Sequence, residues 1–434
     1  MKVTFVYPGF ERHAEAHPEL LEFVPADEYL GPPSLGIASV AAATPEQYEV
    51  AFIDDRLTPV DAGLETDVVA LSFFTPAATR ALEIADQMRA AGKTVVAGGI
   101  FPTQMPDVVA EHVDAVVVGE GEPVWADLLA DAEKGSLKKK YVAPPHDLST
   151  SPVPRVDLYF NAETEGHHPD DYPFQLSRGC PLTCDACVLP IHMGKKMRFY
   201  SQEQLEATMR AYADAGKMVS LTEDTSIFGL QGARKHLREF LDTTLRLQQE
   251  GVKVKISYLG ISMPMILNLD PTLLQQMRST GMDRFYLVGG FDPITRNAFG
   301  PNDPKALEKA YKVIARCKEF GIDPYVSFLV GNEGDDEGTF DRMLEFASKS
   351  GIELAEFVVS TPYPGTPIWH RYQEEGRIFD HTWKHYNDAN VVFEPHQMSP
   401  ERLQEGYLYL WREFYRGRQA EFDERSHQRS TVQF

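Results

Sequence analysis

The sequence predicts an α/β protein whose first 130 residues form a doubly wound, Rossmann-like parallel sheet. Two observations carry this. Apolar runs of four to seven residues alternate with helical stretches, and breakers and glycines follow the runs. Strands that short and that apolar, separated by helices, fit a sheet covered on both faces.

In order, residues 3–7 read as a strand and 35–43 as the helix that follows. Residues 50–53 form the next strand, ending in Asp54-Asp55. Residues 68–74 are the third, followed by a helix over 80–90. Residues 94–97 lead into Gly98-Gly99, and 115–118 into Gly119-Glu120-Gly121-Glu122. A doubly wound sheet binds its ligand beyond the carboxyl ends of the strands. The loops there carry Pro8-Gly9, Ser72 to Thr75, Gly98-Gly99 and Gly119 to Glu122. Glycines let backbone approach a ligand closely, and Ser72 and Thr75 offer hydroxyls. One such loop is as readily an ordinary turn; several along one edge argue for a site. No Gly-x-Gly-x-x-Gly follows the first strand, which argues against a dinucleotide. Residues 140–175, rich in proline, histidine and polar groups, read as a linker, with a domain boundary near 150.

Composition sets the outer bounds. At roughly 150 residues per domain, 434 residues make two domains and an appendage. A hydrophobic fraction of 43% with 24% charged residues excludes global disorder. Lys+Arg total 42 against 64 Asp+Glu, a formal charge of −22 that repels a phosphate backbone, so nucleic acid is not an expected partner. No apolar stretch reaches the roughly 18 residues of a membrane span. The opening run, stopped by Pro8-Gly9, lacks a leader's cleavage pattern. The expectation is a soluble, cytoplasmic monomer acting on a small molecule.

Cysteine placement is the sharpest signal. Of four cysteines, Cys180, Cys184 and Cys187 share the segment Arg178-Gly179-Cys180-Pro181-Leu182-Thr183-Cys184-Asp185-Ala186-Cys187. A disulfide framework would spread its cysteines more evenly. The spacing C-x3-C-x2-C puts three thiolates on one tight loop, as a metal or a cluster requires. Zinc would ask for a fourth ligand, for which His192 is close. A 4Fe–4S cluster on three cysteines leaves one iron open, and soft thiolates serve either centre. Cys317, alone in a helical pattern, reads as a buried thiol.

The cysteine loop, after a strand and preceded by Arg-Gly, resembles the radical S-adenosylmethionine (SAM) superfamily. The N-terminal half is similar to the cobalamin-binding domain that precedes the catalytic domain in one branch of it. Gly31-Pro32-Pro33-Ser34-Leu35-Gly36, Phe52-Ile53-Asp54, Ser72 to Thr75, Gly98-Gly99 and Gly119 to Glu122 carry that similarity. The resemblance implies a cobalamin-binding domain over 1–150, a linker over 151–175, a partial (β/α)6 barrel over 176–370 and a small helical, aromatic extension over 371–434. It implies cobalamin contacts at Ser72, Thr75, Gly98, Gly99, Gly119, Glu120 and Gly121, and cluster ligands at Cys180, Cys184 and Cys187. SAM contacts fall on Glu223, Gly289, Gly290 and Gly331. The Asp-x-His-x-x-Gly motif that supplies an axial histidine to cobalt is missing from the sequence. Phe101 stands where relatives often carry His, Ala186 where an aromatic usually packs on adenine, and Phe291 where a ribose-binding Glu is common.

Within the barrel, residues 218–222, 254–259, 284–288, 324–330 and 356–360 read as strands, with a helix over 232–250. Special residues again cluster at carboxyl ends. Glu223-Asp224 also suits a helix N-terminus, and Thr361 to Pro367 a rigid exit turn. In the tail, a helix over 400–416 is expected, and 417–434 reads as a frayed end. Trp383, Tyr386, Trp411, Phe414 and Tyr415 suit a substrate cavity or, at helical spacing, a core.

The resemblance also implies the chemistry. A reduced cluster cleaves SAM to methionine and a 5′-deoxyadenosyl radical, which takes hydrogen from an unactivated carbon. Methylcobalamin then delivers a methyl group to a small-molecule, lipid or tetrapyrrole substrate. A reducing partner such as flavodoxin or ferredoxin is required. The alternatives are a cyclase, ring-contraction or oxidation enzyme with the same cofactors, and a non-catalytic corrinoid carrier or iron–sulfur sensor.

Overall fold

The computed structural model describes residues 1–23, 31–221, 231–288 and 304–417. Its first sheet contains β1 (Lys2–Tyr7), β2 (Glu49–Asp54), β3 (Val68–Ser72), β4 (Thr94–Gly98), β5 (Ala115–Gly119) and β6 (Lys140–Ala143). All pairs are parallel, in the order β2-β1-β3-β4-β5-β6. The chain order reverses between β1 and β3, the crevice where open parallel sheets bind ligands. Alternate residues feed two cores. Phe5, Val68, Val96 and Val117 pack with the helices Leu35–Ala42 and Glu122–Glu133, while Val6, Val69, Val95 and Val116 pack with Ala78–Ala90. Each fully buried aliphatic or aromatic side chain contributes about 1.5–3 kcal/mol, which is why such continuous apolar runs become central strands.

The second sheet starts earlier than the sequence suggests. Its strands are β7 (Asp171–Phe174), β10 (Met218–Leu221), β11 (Ile256–Ser262), β12 (Arg284–Val288), β13 (Asp323–Val330) and β14 (Leu354–Val359). They are parallel in the order β14-β13-β12-β11-β10-β7, an open six-stranded arc and hence a partial barrel. A two-residue hairpin of β8 (Ser177–Arg178) and β9 (Arg198–Phe199) follows β7.

Two elements correct the linker expected over 140–175. In β6 only Tyr141 and Ala143 are buried, and Lys138, Lys139 and Lys140 lead into it. Charge on an edge strand discourages pairing with other chains and also hides the strand from a hydrophobic reading. In β7, Pro173 and the acidic Asp170-Asp171 broke the apolar pattern; a proline is tolerated there because β7 is an edge.

The C-terminal helix Pro400–Tyr415 is capped by Ser399, whose side chain accepts from the Arg402 amide. It packs on β14: Trp411 Nε1 donates to the Phe357 carbonyl at 3.2 Å and the Tyr415 hydroxyl to that of Ala355 at 2.5 Å. Tyr386, Trp411, Phe414 and Tyr415 are buried core, and Trp383 packs on Phe101 with ring centroids 5.2 Å apart. The core reading of these aromatics is the right one. Cys317 is likewise buried, and burial pushes its thiol up to about 12, which makes it inert. Among the described residues no helix is long and apolar enough to cross a membrane.

Candidate functional site

A cavity of about 470 Å³ lies between the carboxyl ends of the two sheets. Ser72, Thr75, Gly98, Gly99, Gly119, Glu120 and Gly121 all line its first wall. Their glycines divide into two kinds. A Cβ on Gly99 would sit 2.9 Å from the Phe73 backbone, on Gly119 2.2 Å from the Ala143 carbonyl oxygen, and on Gly121 2.9 Å from Val40 Cγ2. Protein neighbours alone dictate those three. Gly36 and Gly98 also line the cavity, yet a Cβ there would meet only ordinary contacts, at 3.9 and 3.5 Å. At Gly36, exposed in the first turn of its helix, the vacant volume opens into the cavity. A wall of glycines and small hydroxyl side chains leaves room for a broad macrocycle such as a corrinoid.

Glu120 is buried and already paired. Arg198 and His146 contact its carboxylate at 2.5 and 2.8 Å. Burial raises the carboxyl pKa, but the hydrogen bonds from His146 and Arg198 and the charge of Arg178 outweigh it and bring it down to about 2.

Cys180, Cys184 and Cys187 line the opposite wall, none of them in a disulfide. The Cys180 amide donates to the Gly194 carbonyl at 3.0 Å, and a Cβ on Gly179 (φ +91°) would lie 2.3 Å from the Lys196 carbonyl oxygen. The two ends of the loop are thus cinched together. Among the described residues no three His, Cys, Asp or Glu side chains converge as ligands of one ion would. In a cluster each thiolate bonds a different iron, whereas the ligands of a zinc ion meet at one point. His192 lines the cavity with a buried Nδ1 that has no hydrogen-bond partner. Burial, then the charge of Arg178, brings its imidazole down to about 4. Ala186 also lines the cavity, where a larger ring is usual.

The barrel and the C-terminal extension each contribute an acid that sequence reasoning missed. Glu356, on β14, accepts from the Tyr286 hydroxyl and from that of Tyr325, the latter at 3.1 Å. Asp388 is the one non-glycine residue with positive φ (61°) among the described residues, and it hydrogen-bonds Tyr363 and Thr361. Burial pushes its carboxyl up to about 7. Both line the cavity. Glu356 was legible as a lone acid inside an apolar strand. Asp388 left only the faint signal of an Asn-Asp pair, residue types that tolerate left-handed backbone.

Other expected residues lie elsewhere. Gly331 does not line the cavity: its amide donates to Asp335 at 2.8 Å, and its Cα faces Leu403 and Phe393 of the C-terminal extension. Phe101 is core. Glu223, Asp224, Gly289, Gly290, Phe291 and the tail 418–434 lie outside the described residues. His13 lines the cavity, but its Nδ1 is held by the Tyr407 hydroxyl at 2.9 Å. His112 instead pairs with Asp86, also at 2.9 Å, and is not among the lining residues.

Known proteins match this organisation in order. The B12 binding domain model matches residues 29–129, the Radical SAM superfamily model 174–347, and a domain of unknown function (DUF4070) 366–428. Bacteriochlorophyllide d C-8(2)-methyltransferase of Chlorobaculum tepidum is 28% identical over 402 residues, covering 87% of this chain and 86% of that protein. Anaerobic magnesium-protoporphyrin IX monomethyl ester cyclase of Rubrivivax gelatinosus is 24% identical over 413 residues, 85% and 70% of the two chains. The radical S-adenosylmethionine methyltransferase TsrM from Kitasatospora setae shares the fold, with a TM-score of 0.66 at 16% identity over 94% of this chain and 88% of that one.

Proposed function

The chain belongs to the cobalamin-dependent radical SAM enzymes, and from that premise we propose that it methylates an unactivated carbon of a tetrapyrrole or similarly apolar small molecule. One observation carries the reading: the three-thiol loop and the carboxyl edge of the first sheet line a single cavity. When bound, the cluster with SAM supplies a carbon-centred radical and the corrinoid supplies the methyl group.

The chain's own part is placement and exclusion of water. Cys180, Cys184 and Cys187 hold the cluster, and Ser72, Thr75, Gly36 and Gly98 form the corrinoid wall. Glu223, Gly289 and Gly290 are assigned to SAM on sequence resemblance. Gly331 acts at one remove, by fixing the loop after β13. The division into domains is 1–150, a shortened linker ending before β7, a barrel to 370 and the extension beyond. Methyltransferase and cyclase relatives whose names specify a bacteriochlorophyllide and a protoporphyrin support the tetrapyrrole class. We place the enzyme in the cytoplasm as a monomer served by flavodoxin or ferredoxin, on the reducing compartment that cysteines spaced this closely for a metal or cluster imply.

The cyclase relative keeps a second reading alive, a radical cyclisation or oxidation with the same cofactors. Anaerobic reconstitution separates the two. Wild type and Cys317→Ala should show iron–sulfur absorption and form 5′-deoxyadenosine from SAM, while Cys184→Ala should do neither. Supplied with bacteriochlorophyllide d or a protoporphyrin ester, the enzyme should return a product heavier by one methyl unit. A product without that gain selects the second reading, and cluster loss in Cys317→Ala rather than Cys184→Ala defeats both.

A further inference from the structure

The loop that holds Cys180, Cys184 and Cys187 hangs from a hairpin too short to support itself: β8 and β9 have two residues each. Arg178 and Arg198 stand directly opposite each other in that hairpin. Both side chains end on one four-residue segment of the first domain. Arg178 Nη1 meets Glu122 Oε1 at 2.7 Å, and both side chains are less than a tenth exposed. Arg198 grips Glu120 with both terminal nitrogens, at 2.5 and 2.8 Å. The arginines' terminal nitrogens make further bonds: Arg178 Nη2 with Ser39 Oγ at 3.1 Å, Arg198 with the carbonyls of His146 and Met193, each at 2.9 Å.

The anchor is rigid for a separate reason. Gly119 and Gly121 are held against Ala143 and Val40 so closely that neither has room for a side chain. Glycines fix the backbone and glutamates reach out from it. Both carboxylate oxygens of Glu120 are taken by protein donors, His146 adding a contact to the second. That leaves little capacity for a cofactor.

We propose that Gly119-Glu120-Gly121-Glu122 is a latch for the cluster loop, in which Glu120 and Glu122 are positioning residues that seat the cysteines against the corrinoid wall through Arg198 and Arg178. The inference rests on the cofactor assignment above and departs from the expected role of Glu120 as a cobalamin contact. Its physical content is a fixed distance between two reactive centres, set by two buried ion pairs across a domain boundary. Such geometry converts an encounter into an effectively unimolecular step. Removing one partner leaves a buried guanidinium without its counterion, a strongly unfavourable change.

Three readouts on the full chain test it. In Glu120→Gln, amide hydrogen exchange over residues 176–200, measured without cofactors, should quicken by about tenfold or more. The reconstituted cluster should be lost faster to a chelator, while hydroxocobalamin affinity should stay within about threefold of wild type. Arg198→Lys keeps the charge but loses the fork, and should give a smaller change of the same kind. Unchanged exchange in 176–200, or cobalamin affinity falling beyond that limit, overturns the proposal. If Glu120→Gln loosens the whole fold, Arg198→Lys decides by the same limits. A wild type that takes up neither iron nor cobalamin would defeat the cofactor assignment, yet the exchange arm would still decide the latch.

Discussion

Alanine at Gly36 and at Gly119 should give opposite signatures, although both glycines line the same cavity wall. At Gly119 the backbone has φ +91°, and the register places it opposite Ala143 of β6, whose carbonyl oxygen would lie 2.2 Å from the new Cβ. Left-handed backbone on a non-glycine residue costs about 1–3 kcal/mol. Forcing an atom into a filled site costs about as much again. The sum, roughly 2–6 kcal/mol, is a large part of the 5–15 kcal/mol that typically holds a domain together. At about 2–4 °C per kcal/mol, unfolding of the first domain should shift down by roughly 5–20 °C.

Gly36 has no such conflict. Its nearest prospective neighbours are the hydroxyls of Ser34 and Ser72, both at 3.9 Å, and it sits within a helix. Alanine there should leave stability unchanged or raise it by up to about 1 kcal/mol. The added methyl projects into the cavity, however, and should weaken cobalamin binding by about tenfold, or 1.4 kcal/mol. Thermal unfolding followed by circular dichroism and a visible-absorption titration with hydroxocobalamin measure the two effects separately. Undiminished cobalamin affinity in Gly36→Ala would refute the placement of the corrinoid on this wall. Undiminished stability in Gly119→Ala would refute the reading of that glycine as a packing requirement.

Two further outcomes are expected. Asp388→Asn should be more stabilising, relative to wild type, at pH 8 than at pH 5. The folded-state pKa is raised from 3.8 to about 7, so the penalty for the charged form is absent below the lower value, grows between them and reaches at most about 4 kcal/mol above the upper. Melting differences that are equal at the two pH values would contradict this. The electron paramagnetic resonance spectrum of the cob(II)alamin form should lack nitrogen superhyperfine splitting, because His112 does not line the cavity and His13 is engaged by both the Tyr407 hydroxyl and the Asn387 backbone. Clear splitting would refute it, and His192, with its unpartnered Nδ1, would be the residue to replace.

Much of the architecture was legible because central strands are apolar on both faces and leave uninterrupted runs. β1, β3 and β12 are found within a few residues of where the sequence puts them. Edges are different. β6 and β7 bury only part of their length and carry lysine, acid or proline where pairing must stop, so they look like loops. The cysteine loop was legible because its ligands are local. Spacing within one segment fixes which side chains share a centre, and folding adds only the wall they face.

Roles that depend on a distant partner leave no such trace. Gly36, Gly98 and Gly119 look alike in sequence as glycines at strand and helix ends, and what separates them is the atom a missing Cβ would meet. For Gly119 that atom belongs to Ala143, on a strand the sequence does not announce. Glu120 lies 78 residues from Arg198, and Glu122 lies 56 from Arg178. A carboxylate beside a glycine at a sheet's carboxyl edge is the right chemistry for a ligand contact and equally for an ion pair. Only the arrival of an arginine decides between them. Here both arginines come from the hairpin that bears the cluster ligands. The acidic motif therefore belongs to the relation between the two domains, and its function is to be sought in the geometry of the cysteine loop.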